Sequence, residues 1–376
     1  MRRKLIVRLT IALGVMSFCV TPFLIGDNGL KNHLFTFAVF GDQPYLPQSG
    51  NQQVYPPPEY QAMIANINTA KVDFAVHIGD IKAGATLCTN NVYTENLALF
   101  NSVASPMVYL PGDNEWTDCH RVSNGGYHAL ERLAFLRSTF FTSNQSLGQT
   151  TMTLERQSNT PGYEAYVENV RWNKGIVLFV GINMPGSNNN HEMNVATTGA
   201  NRTAWPGDRL AAEAEYVARN AANIAWINQS FDIAQNDSTI KAVMIFAQAN
   251  PFERFLEPLQ DYTTSGYADF VRTLRYRTIA LNKPVAYVNG DTHTWRLDKP
   301  LYETYPCNVA SAGAACTPTA TLPITGKIEN FIRHEVFAQN DSHWTLVRVE
   351  PQNPNIFVFE QQIVPENVKF HASVLP

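Results

Sequence analysis

The chain has 376 residues, of which 45% are hydrophobic and 16% are charged, so it can bury a large core as one domain or two. Its formal net charge of -4 and its pI near 6.1 provide no basic field for a polyanion. These values argue against nucleic acid as a macromolecular partner.

The N-terminus has the layout of a targeting segment. Four basic residues occur among the first eight, and Leu9 to Ile25 is almost wholly apolar. We predict that residues 1–27 are a signal peptide or an uncleaved N-terminal anchor, since the apolar run is a little short for a spanning helix. The folded part would then be extracytoplasmic, either periplasmic or secreted, and would meet a membrane only through that anchor.

The remaining residues, 33–376, predict a single α/β domain with two sheets and helices outside. In chain order the predicted strands are Phe35–Phe40, Val72–Ile78, Met107–Leu110, Tyr163–Val170, Gly175–Ile182, Lys241–Phe246 and Pro284–Val288, followed by β runs in HEVFAQ, HWTLVRVE and NIFVFEQQ. The predicted helices begin at Pro58, lie in GGYHALERLAFLRSTFF, and cover Pro206–Gln235 and Ala268–Leu281. Asn173-Lys174-Gly175 is predicted as a hairpin turn.

Four of the predicted strands end in the same Gly-Asp pair, which places Asp42, Asp80, Asp113 and Asp291 where a buried strand meets solvent. The carboxyl ends of strands in an open α/β sheet line one edge, where ligands bind. We therefore expect the four aspartates to converge on one small space. Because like charges do not gather without a cation, the pattern predicts a metal site. The alternative for each pair alone is a turn or a helix cap.

The cysteines are interpreted as disulfides, because the folded part is predicted to lie in an oxidising compartment. Cys19 falls in the targeting segment, which leaves four cysteines and three pairings. Cys88 and Cys119 are both on loops that leave the edge of the predicted metal site, so we predict that they pair. Cys307 and Cys316 would then close a short loop of their own. A thiolate zinc site is disfavoured, since no Cys-x-x-Cys spacing occurs.

Taken in order, the motifs GD, GD, GDNE, a strand followed by Gln248, and GDTH resemble those of the calcineurin-like metallophosphoesterases. The motifs of that family run Asp-x-His, Gly-Asp, Gly-Asn-His-Asp/Glu, a lone His, and Gly-His-x-His. The resemblance covers Phe35 to about Trp295. It implies a β-sandwich of two sheets flanked by helices, and hydrolysis of small phosphate mono- or diesters by metal-activated water.

Three residues match the family pattern without change, namely Asp42, Asp80 and His293. The imidazole of Asp-x-His is lost, because Pro44 stands in its place and cannot ligate a metal. Tyr45 is next to it and is interpreted as a wall of the pocket.

The other positions exchange one polar residue for another. Asp113 stands in the metal-ligand Asn position, and Asn114 stands where the family has its catalytic His. Gln248 is nearest to the lone His position, with Asn250 as a competitor, although a Gln at a strand end can instead satisfy backbone groups. Asp291 replaces the first His of Gly-His-x-His.

The resemblance implies one or two divalent ions at an oxygen-rich site. Asp42 and His293 would hold one ion, and Asp80 would bridge to a second ion held by Asp113, Gln248 and Asp291. Four carboxylates would balance two divalent ions. Exchanging imidazoles for carboxylate and amide oxygens favours Mg²⁺, Mn²⁺ or Ca²⁺ over Zn²⁺.

Catalysis would need groups other than the missing His. Asn114 can donate a hydrogen bond to a phosphoryl oxygen but cannot transfer a proton. His120 and Arg121 are candidates for protonating the leaving group and binding phosphate, with a plain surface loop as the alternative. His77 is interpreted as a strand histidine. The alternative function is a catalytically weakened relative with a structural or binding role.

Overall fold

In the computed structural model of the protein, the structure describes residues 33–45, 56–191, 208–252, 265–304, 307–308, 317–318, 325–338 and 341–368. The predicted signal peptide or anchor lies outside these residues, and so does Cys316 of the second predicted disulfide. Within the described residues, no helix is both long enough and apolar enough to cross a membrane. The single domain from 33 to 376 stays a prediction.

The strands and helices alternate over the first part of the chain and become mostly strands at its end. The strands are β1 (Phe35–Phe40), β2 (Phe74–His77), β3 (Met107–Tyr109), β4 (Glu155–Arg156), β5 (Val170–Lys174), β6 (Val177–Gly181), β7 (Ala242–Phe246), β8 (Val285–Asn289), β9 (Arg296–Asp298), β10 (Tyr302–Thr304), β11 (Cys307–Asn308), β12 (Thr317–Pro318), β13 (Thr325–Lys327), β14 (Phe331–Glu335), β15 (Trp344–Val349) and β16 (Phe357–Gln362). The helices are α1 (Pro58–Ala70), α2 (Asn90–Phe100), α3 (Ala129–Phe140), the single turn α4 (Gly186–Asn189), α5 (Asp208–Asn236) and α6 (Ala268–Leu281).

Two large mixed sheets form the centre of the molecule. The first has the order β16-β15-β1-β2-β3, and the second has the order β4-β5-β6-β7-β8-β14-β9. Strands β1 to β3 are parallel in the first sheet, and β6, β7, β8 and β14 are parallel in the second. Antiparallel strands flank both parallel sets. Each sheet therefore presents the carboxyl ends of several neighbouring strands along one edge.

The sheets pack face to face, and helices cover their outer faces. Phe37 of β1 lies between the sheets against Phe179 of β6, with ring centroids 5.3 Å apart. Phe40 is on the opposite face of β1, in a core cluster with α1, α2 and α3. Trp226 of α5 packs with α6 on the second sheet. The predicted fold class, a two-sheet α/β sandwich flanked by helices, is confirmed.

Two strand predictions are wrong in position. The segment Tyr163–Val170 is mostly turns, and the strand begins only at Val170 and runs to Lys174. Alternate residues from Val170 onward fill the core between the sheets, whereas residues 163–169 form turns. The hairpin turn accordingly falls at 175–176. The strand predicted in HEVFAQ is instead Phe331–Glu335, because pairing with β8 starts at Phe331.

A buried histidine connects the two sheets. His334 of β14 contacts the Thr345 hydroxyl of β15 through Nε2 at 3.0 Å and the Arg296 carbonyl oxygen through Nδ1 at 3.2 Å. The carbonyl can only accept, so Nδ1 carries the proton and Nε2 accepts from Thr345. Burial lowers the pKa of His334 from 6.5 to about 3. The folded protein therefore holds this imidazole neutral.

We predict that the His334→Gln variant loses less stability than the wild type when the pH is lowered. The unfolded chain protonates this histidine near pH 6.5 and the folded chain only near 3, so its contribution is complete above 6.5 and is lost as the pH falls toward 3. Within that window the unfolding free energy of the wild type should fall more steeply than that of the variant, by about 1.4 kcal/mol per pH unit. Urea denaturation at several pH values measures both slopes.

Thr345→Val is the matched control. It removes the hydrogen-bond partner of His334 but no titrating group, so it should lower stability at every pH and keep the slope of the wild type. Equal slopes in His334→Gln and the wild type would contradict the prediction.

Candidate metal centre

The candidate site lies where strands of both sheets end. Asp42, Asp80 and Asp113 follow β1, β2 and β3, and Gln248 and Asp291 follow β7 and β8. The carboxyl ends of these parallel strands share one edge of the sandwich. The structure brings the four aspartates of the Gly-Asp pairs into one neighbourhood, as their electrostatic and hydrogen-bond contacts below show.

Three residues form the most compact group of donors. One ligand atom each of Asp42, Asp80 and His293 lies within 4.8 Å of the others. Both aspartates are buried, while the side chain of His293 is 37% exposed. His293 Nε2 is 3.6 Å from Asp42 Oδ1. Two buried carboxylates and an accessible imidazole are therefore arranged to share one cation.

The backbone at these positions is in a conformation that side chains rarely adopt. Asp42, Asp80, Asp291 and His293 all have left-handed φ angles, of 51°, 58°, 76° and 59°. Such residues cost about 1–3 kcal/mol each, persist where surrounding structure fixes them, and cluster at functional sites. Four of them among the predicted ligands indicate that the loops are shaped for the position of these side chains.

Asp113, Gln248 and Asp291 form the second group. Gln248 Nε2 is 3.4 Å from Asp113 Oδ1, and Gln248 Oε1 accepts a hydrogen bond of 2.5 Å from Gly186 N. The amide orientation follows from its partners, because Asp113 only accepts and the backbone N–H only donates. Gln248 therefore does satisfy a backbone group, and its oxygen would have to serve Gly186 and a metal together. Asp291 Oδ2 accepts from Asn250 N at 3.1 Å.

Asn114 and Tyr45 lie against the carboxylate of Asp80, the predicted bridging ligand. Asn114 donates to Asp80 from its backbone N at 3.1 Å and from Nδ2 at 2.7 Å. Tyr45 donates from its hydroxyl to Asp80 Oδ2 at 2.9 Å and accepts from Asn114 Nδ2 at 3.1 Å. Tyr45 also lies 3.4 Å from His293 Nε2. A phenol hydroxyl thus lies among Asp80, Asn114 and His293.

An open cavity of about 310 Å³ gives access to these side chains. Its lining is largely polar, includes four aspartates, and consists of Tyr45, Asp80, Ala83, Gly84, Asp113, Asn114, Asp118, Arg121, Ser187, Asp291 and His293. His120 is not part of this lining. It is 4% exposed, and its Nδ1 is 2.5 Å from the Thr117 carbonyl oxygen.

Arg121 reaches the cavity as part of a hydrogen-bonded group with Asp118 and Ser187. Its Nη1 is 2.5 Å from Asp118 Oδ2, and its Nη2 donates to Ser187 Oγ at 3.1 Å. Ser187 Oγ also lies 2.6 Å from Asp113 Oδ2 and 2.9 Å from Asp118 Oδ1. One serine hydroxyl therefore connects a predicted metal ligand to the arginine.

The turn that carries Ser187 is left-handed, with φ between 50° and 63° from Ser187 to Asn190. Asparagine tolerates this conformation better than other side chains, although usually as a single residue. Arg219, which is fully buried, holds the turn by donating to Asn189 Oδ1 at 2.5 Å and to the Asn189 carbonyl oxygen at 2.9 Å. The position of the Ser187 hydroxyl is thus fixed from helix α5.

Burial opposes ionisation of the clustered carboxyl groups. It raises the pKa of Asp42, even though His293 lowers it, and together with nearby carboxylates it raises the pKa of Asp80 well above the usual value. Burial and the charge of Asp113 raise the pKa of Asp118 to about 7. A cation among these groups would favour their charged forms.

The shape of the site also fits a cation. A Cβ atom added to Gly186 would lie 2.5 Å from Asp291 Oδ1 and 2.7 Å from Asp113 Oδ2, so only glycine keeps the space between these two oxygens open. Gly290 has the same role beside Asp42, where a Cβ would overlap the carboxylate. The donors are oxygens except for one imidazole, which suits Mg²⁺, Mn²⁺ or Ca²⁺.

The sequence reasoning missed Asp118, Ser187 and the central place of Tyr45. Asp118 lies in WTDCHR, the same stretch that contains the predicted residues His120 and Arg121. Its position next to them was a signal that it could belong to the site. The run Ser187-Asn-Asn-Asn after a predicted strand was a signal for a left-handed turn. Tyr45 was interpreted only as a pocket wall.

Comparisons with known proteins find similarity in structure only. No family model matches the sequence, and no curated protein matches it. A dimetal phosphatase from Danio rerio aligns over 88% of this chain and 97% of its own, with 9% identity and a TM-score of 0.48. A purple acid phosphatase from yellow lupin seeds aligns over 89% of this chain and 52% of its own, with 12% identity and a TM-score of 0.42.

A third similar structure is GAP50, the anchor in the inner membrane complex of Plasmodium. It aligns over 88% of both chains with 9% identity and a TM-score of 0.37. At these identities the likeness concerns the fold alone, and all three TM-scores are below 0.5. We therefore argue function from the geometry of the site itself.

The predicted bridge between Cys88 and Cys119 is confirmed, and it ties the loop of Asp118 and Arg121 to the loop after β2. We predict that replacing both cysteines by serine lowers the unfolding free energy by about 3–4 kcal/mol, because the bond closes a loop of 31 residues. Chemical denaturation without reductant measures the loss.

The two single serine variants are the controls for this bond. Each should lose about as much stability as the double variant, because either change breaks the same bridge. Losses that add up from the single variants to the double variant would instead indicate two independent packing defects.

Proposed function

We propose that the protein is an extracytoplasmic metal-dependent phosphoesterase that hydrolyses small phosphate esters, mono- or diesters. The observation that carries the proposal is the group of Asp42, Asp80 and His293, whose donor atoms lie within 4.8 Å of one another. These are the three residues that match the family pattern without change. Two of them, Asp80 and His293, line an open cavity, where a substrate could reach bound ions.

In this proposal Asp42 and His293 would hold one ion, and Asp80 would be shared with the second. Asp113 and Asp291 would hold the second ion, with Gln248 contributing only if its oxygen also keeps the bond to Gly186. Bound divalent ions supply Lewis-acid polarisation of the phosphoryl group and activation of water at neutral pH. A single ion at the group of Asp42, Asp80 and His293 is the simpler version of the same site.

The roles of the other residues follow from their positions. Asn114 Nδ2 lies beside Asp80 and Tyr45 in the cavity, and would donate to a phosphoryl oxygen. Arg121 at the same cavity would bind a second phosphoryl oxygen. His120 is the proposed proton donor to the leaving group, supported by its place next to Arg121 in the loop.

The alternative function is a weakened relative with a structural or binding role. Two observations favour it. Asn114 stands in the catalytic His position and cannot transfer a proton, and His120 is buried and outside the cavity lining. The orderly replacement of ligands by other ligands, instead of by Ala or Leu, favours the enzyme, because a site that no longer bound a metal would not need to keep side chains that can ligate one.

The location outside the cytosol is part of the proposal. The bond between Cys88 and Cys119 supports it, because structural disulfides persist in oxidising compartments. The basic and apolar N-terminal segment supplies the targeting signal in this interpretation.

We predict that protein purified without chelator contains Mg²⁺, Mn²⁺ or Ca²⁺ and that removing the ion destabilises the fold. Ions relieve the repulsion among the buried carboxylates, and a ligand at 100 times its Kd stabilises by about 2.7 kcal/mol. Elemental analysis and thermal unfolding with and without chelator measure the two effects. Protein with no bound metal and the same melting temperature in chelator would contradict the metal site.

We predict that Asp80→Asn lowers kcat/KM for nitrophenyl phosphate esters by about 100-fold or more and removes the stabilisation by added metal, because Asp80 is the proposed bridging ligand. Hydrolysis assays with each metal and thermal unfolding measure both effects.

Asp73→Asn is the matched control. Asp73 is exposed and precedes β2, at the opposite end of the strand from Asp80. This variant should keep the activity and the metal response of the wild type. If the wild type hydrolyses no ester with any of the three metals, the weakened relative becomes the better account.

A further inference from the structure

The arginine at the cavity does not present an uncompensated charge. Arg121 pairs with Asp118 at 2.5 Å, and the side chains are 34% and 3% exposed, respectively. The carboxylate is therefore the more buried partner, and both side chains belong to the lining of the cavity. A bound phosphate would meet the hydrogen-bond donors of Arg121 while Asp118 cancels most of its field.

This pairing is built into the loop rather than being an incidental surface contact. Ser187 Oγ contacts Asp118 Oδ1 and Asp113 Oδ2, and Arg121 Nη2 donates to the same oxygen. The bridge from Cys88 to Cys119 fixes the residue next to Asp118. Asp118 is held beside Arg121 from three directions, so the guanidinium cannot easily exchange this partner for a substrate.

Among the described residues, the charges around the cavity are mostly negative. Six carboxylates line the cavity or contact its lining, namely Asp42, Asp80, Asp113, Glu115, Asp118 and Asp291. In the described part of the chain, the lysines and arginines among them are Lys82, buried beside these carboxylates, and Arg121. Six negative and two positive side chains leave four negative charges, which two divalent ions would balance. A site with both ions bound is therefore close to neutral.

We propose that Asp118 makes the site selective for phosphodiesters over phosphomonoesters by neutralising Arg121. This inference rests on the proposed phosphoesterase function and names its substrate class. A diester carries one negative charge, whereas a monoester carries two above its second pKa of about 6. A near-neutral site gains little electrostatic attraction from the extra charge of the monoester. Binding must still remove water from that charge, which costs free energy.

The reaction that follows is a single hydrolysis. The oxygen of one water forms a bond to phosphorus, one ester P–O bond breaks, and the protons of the water are shared between the departing alcohol and the solvent. The products are one alcohol and one phosphomonoester. Because the monoester product is a dianion, the same selectivity would favour its release over a second round of hydrolysis.

The test is Asp118→Asn, which keeps the size of the side chain and an oxygen that can accept from Arg121 but removes the charge. We compare kcat/KM for bis(nitrophenyl) phosphate and nitrophenyl phosphate at mildly alkaline pH with saturating metal. The wild type should prefer the diester. The variant should shift the ratio by about tenfold toward the monoester, since a unit charge several ångströms away acts more strongly on a dianion.

Two further variants separate charge from folding. Asp118→Asn combined with Arg121→Gln removes both charges and should return the ratio toward that of the wild type. Asp232→Asn removes the carboxylate of a different arginine pair, with Arg277 on the helical layer, and should leave the ratio unchanged. Thermal unfolding identifies any variant that has lost its structure.

A binding measurement provides a readout that does not depend on turnover. Calorimetric titration with inorganic phosphate, mainly a dianion at this pH, and with dimethyl phosphate, a monoanion, should show a larger gain in affinity for phosphate than for dimethyl phosphate in Asp118→Asn. An unchanged gap between the two ligands in that variant, or a wild type that prefers the monoester, would overturn the inference while leaving the phosphoesterase function intact. Hydrolysis of neither ester by the wild type would contradict the proposed function itself.

Discussion

Repulsion between buried carboxylates is the interaction on which this site depends. The two sheets place the ends of five strands at one edge, and four of these strands are followed by an aspartate. The backbone brings the carboxylates closer still, because Gly186 and Gly290 leave room that a Cβ would fill. Burial and the neighbouring charges then raise the pKa of Asp80 well above its usual value. Such an arrangement opposes folding unless cations compensate it.

The supporting residues hold the loops against this repulsion. His77 at the end of β2 contacts the Gln43 carbonyl oxygen through Nε2 at 2.7 Å and accepts from Gly79 N through Nδ1 at 3.1 Å. It is a satisfied strand histidine and also a tie between the loops of Asp42 and Asp80. Glu115 acts in the same way for the third loop, since its Oε1 accepts from Asp80 N at 3.0 Å.

The parts of the molecule that depend on local sequence could be predicted. The helix Ala268–Leu281 has the predicted bounds, because the spacing of its apolar residues and the signals at its ends are local features of the sequence. The strand ends before each Gly-Asp pair follow from β-branched and aromatic runs that stop abruptly. The partner of Cys88 could be predicted because both cysteines leave the same edge.

The parts that depend on distant residues could not be predicted. The left-handed turn at Ser187 needs Arg219, which comes from another helix and is buried against the turn. The contact of Asp118 with Ser187 depends on that turn. The orientation of Gln248 is decided by Gly186, 62 residues earlier in the chain. Strand β5 starts late because its register is set by pairing with β6, not by the apolar run before it.

Loss of imidazoles changes what the site can do as well as which metal it suits. A neutral histidine ligand adds no charge, so a site built from histidines is stable without its ions and binds them strongly as Lewis acids. Compared with the neutral Asn and His of the motifs that the sequence resembles, Asp113 and Asp291 add two negative charges, and a folded state with these charges would depend more on bound cations. The same charges lower the net positive field that a phosphate meets. In the proposed function, metal dependence of folding and selectivity for less charged esters would both follow from these added charges.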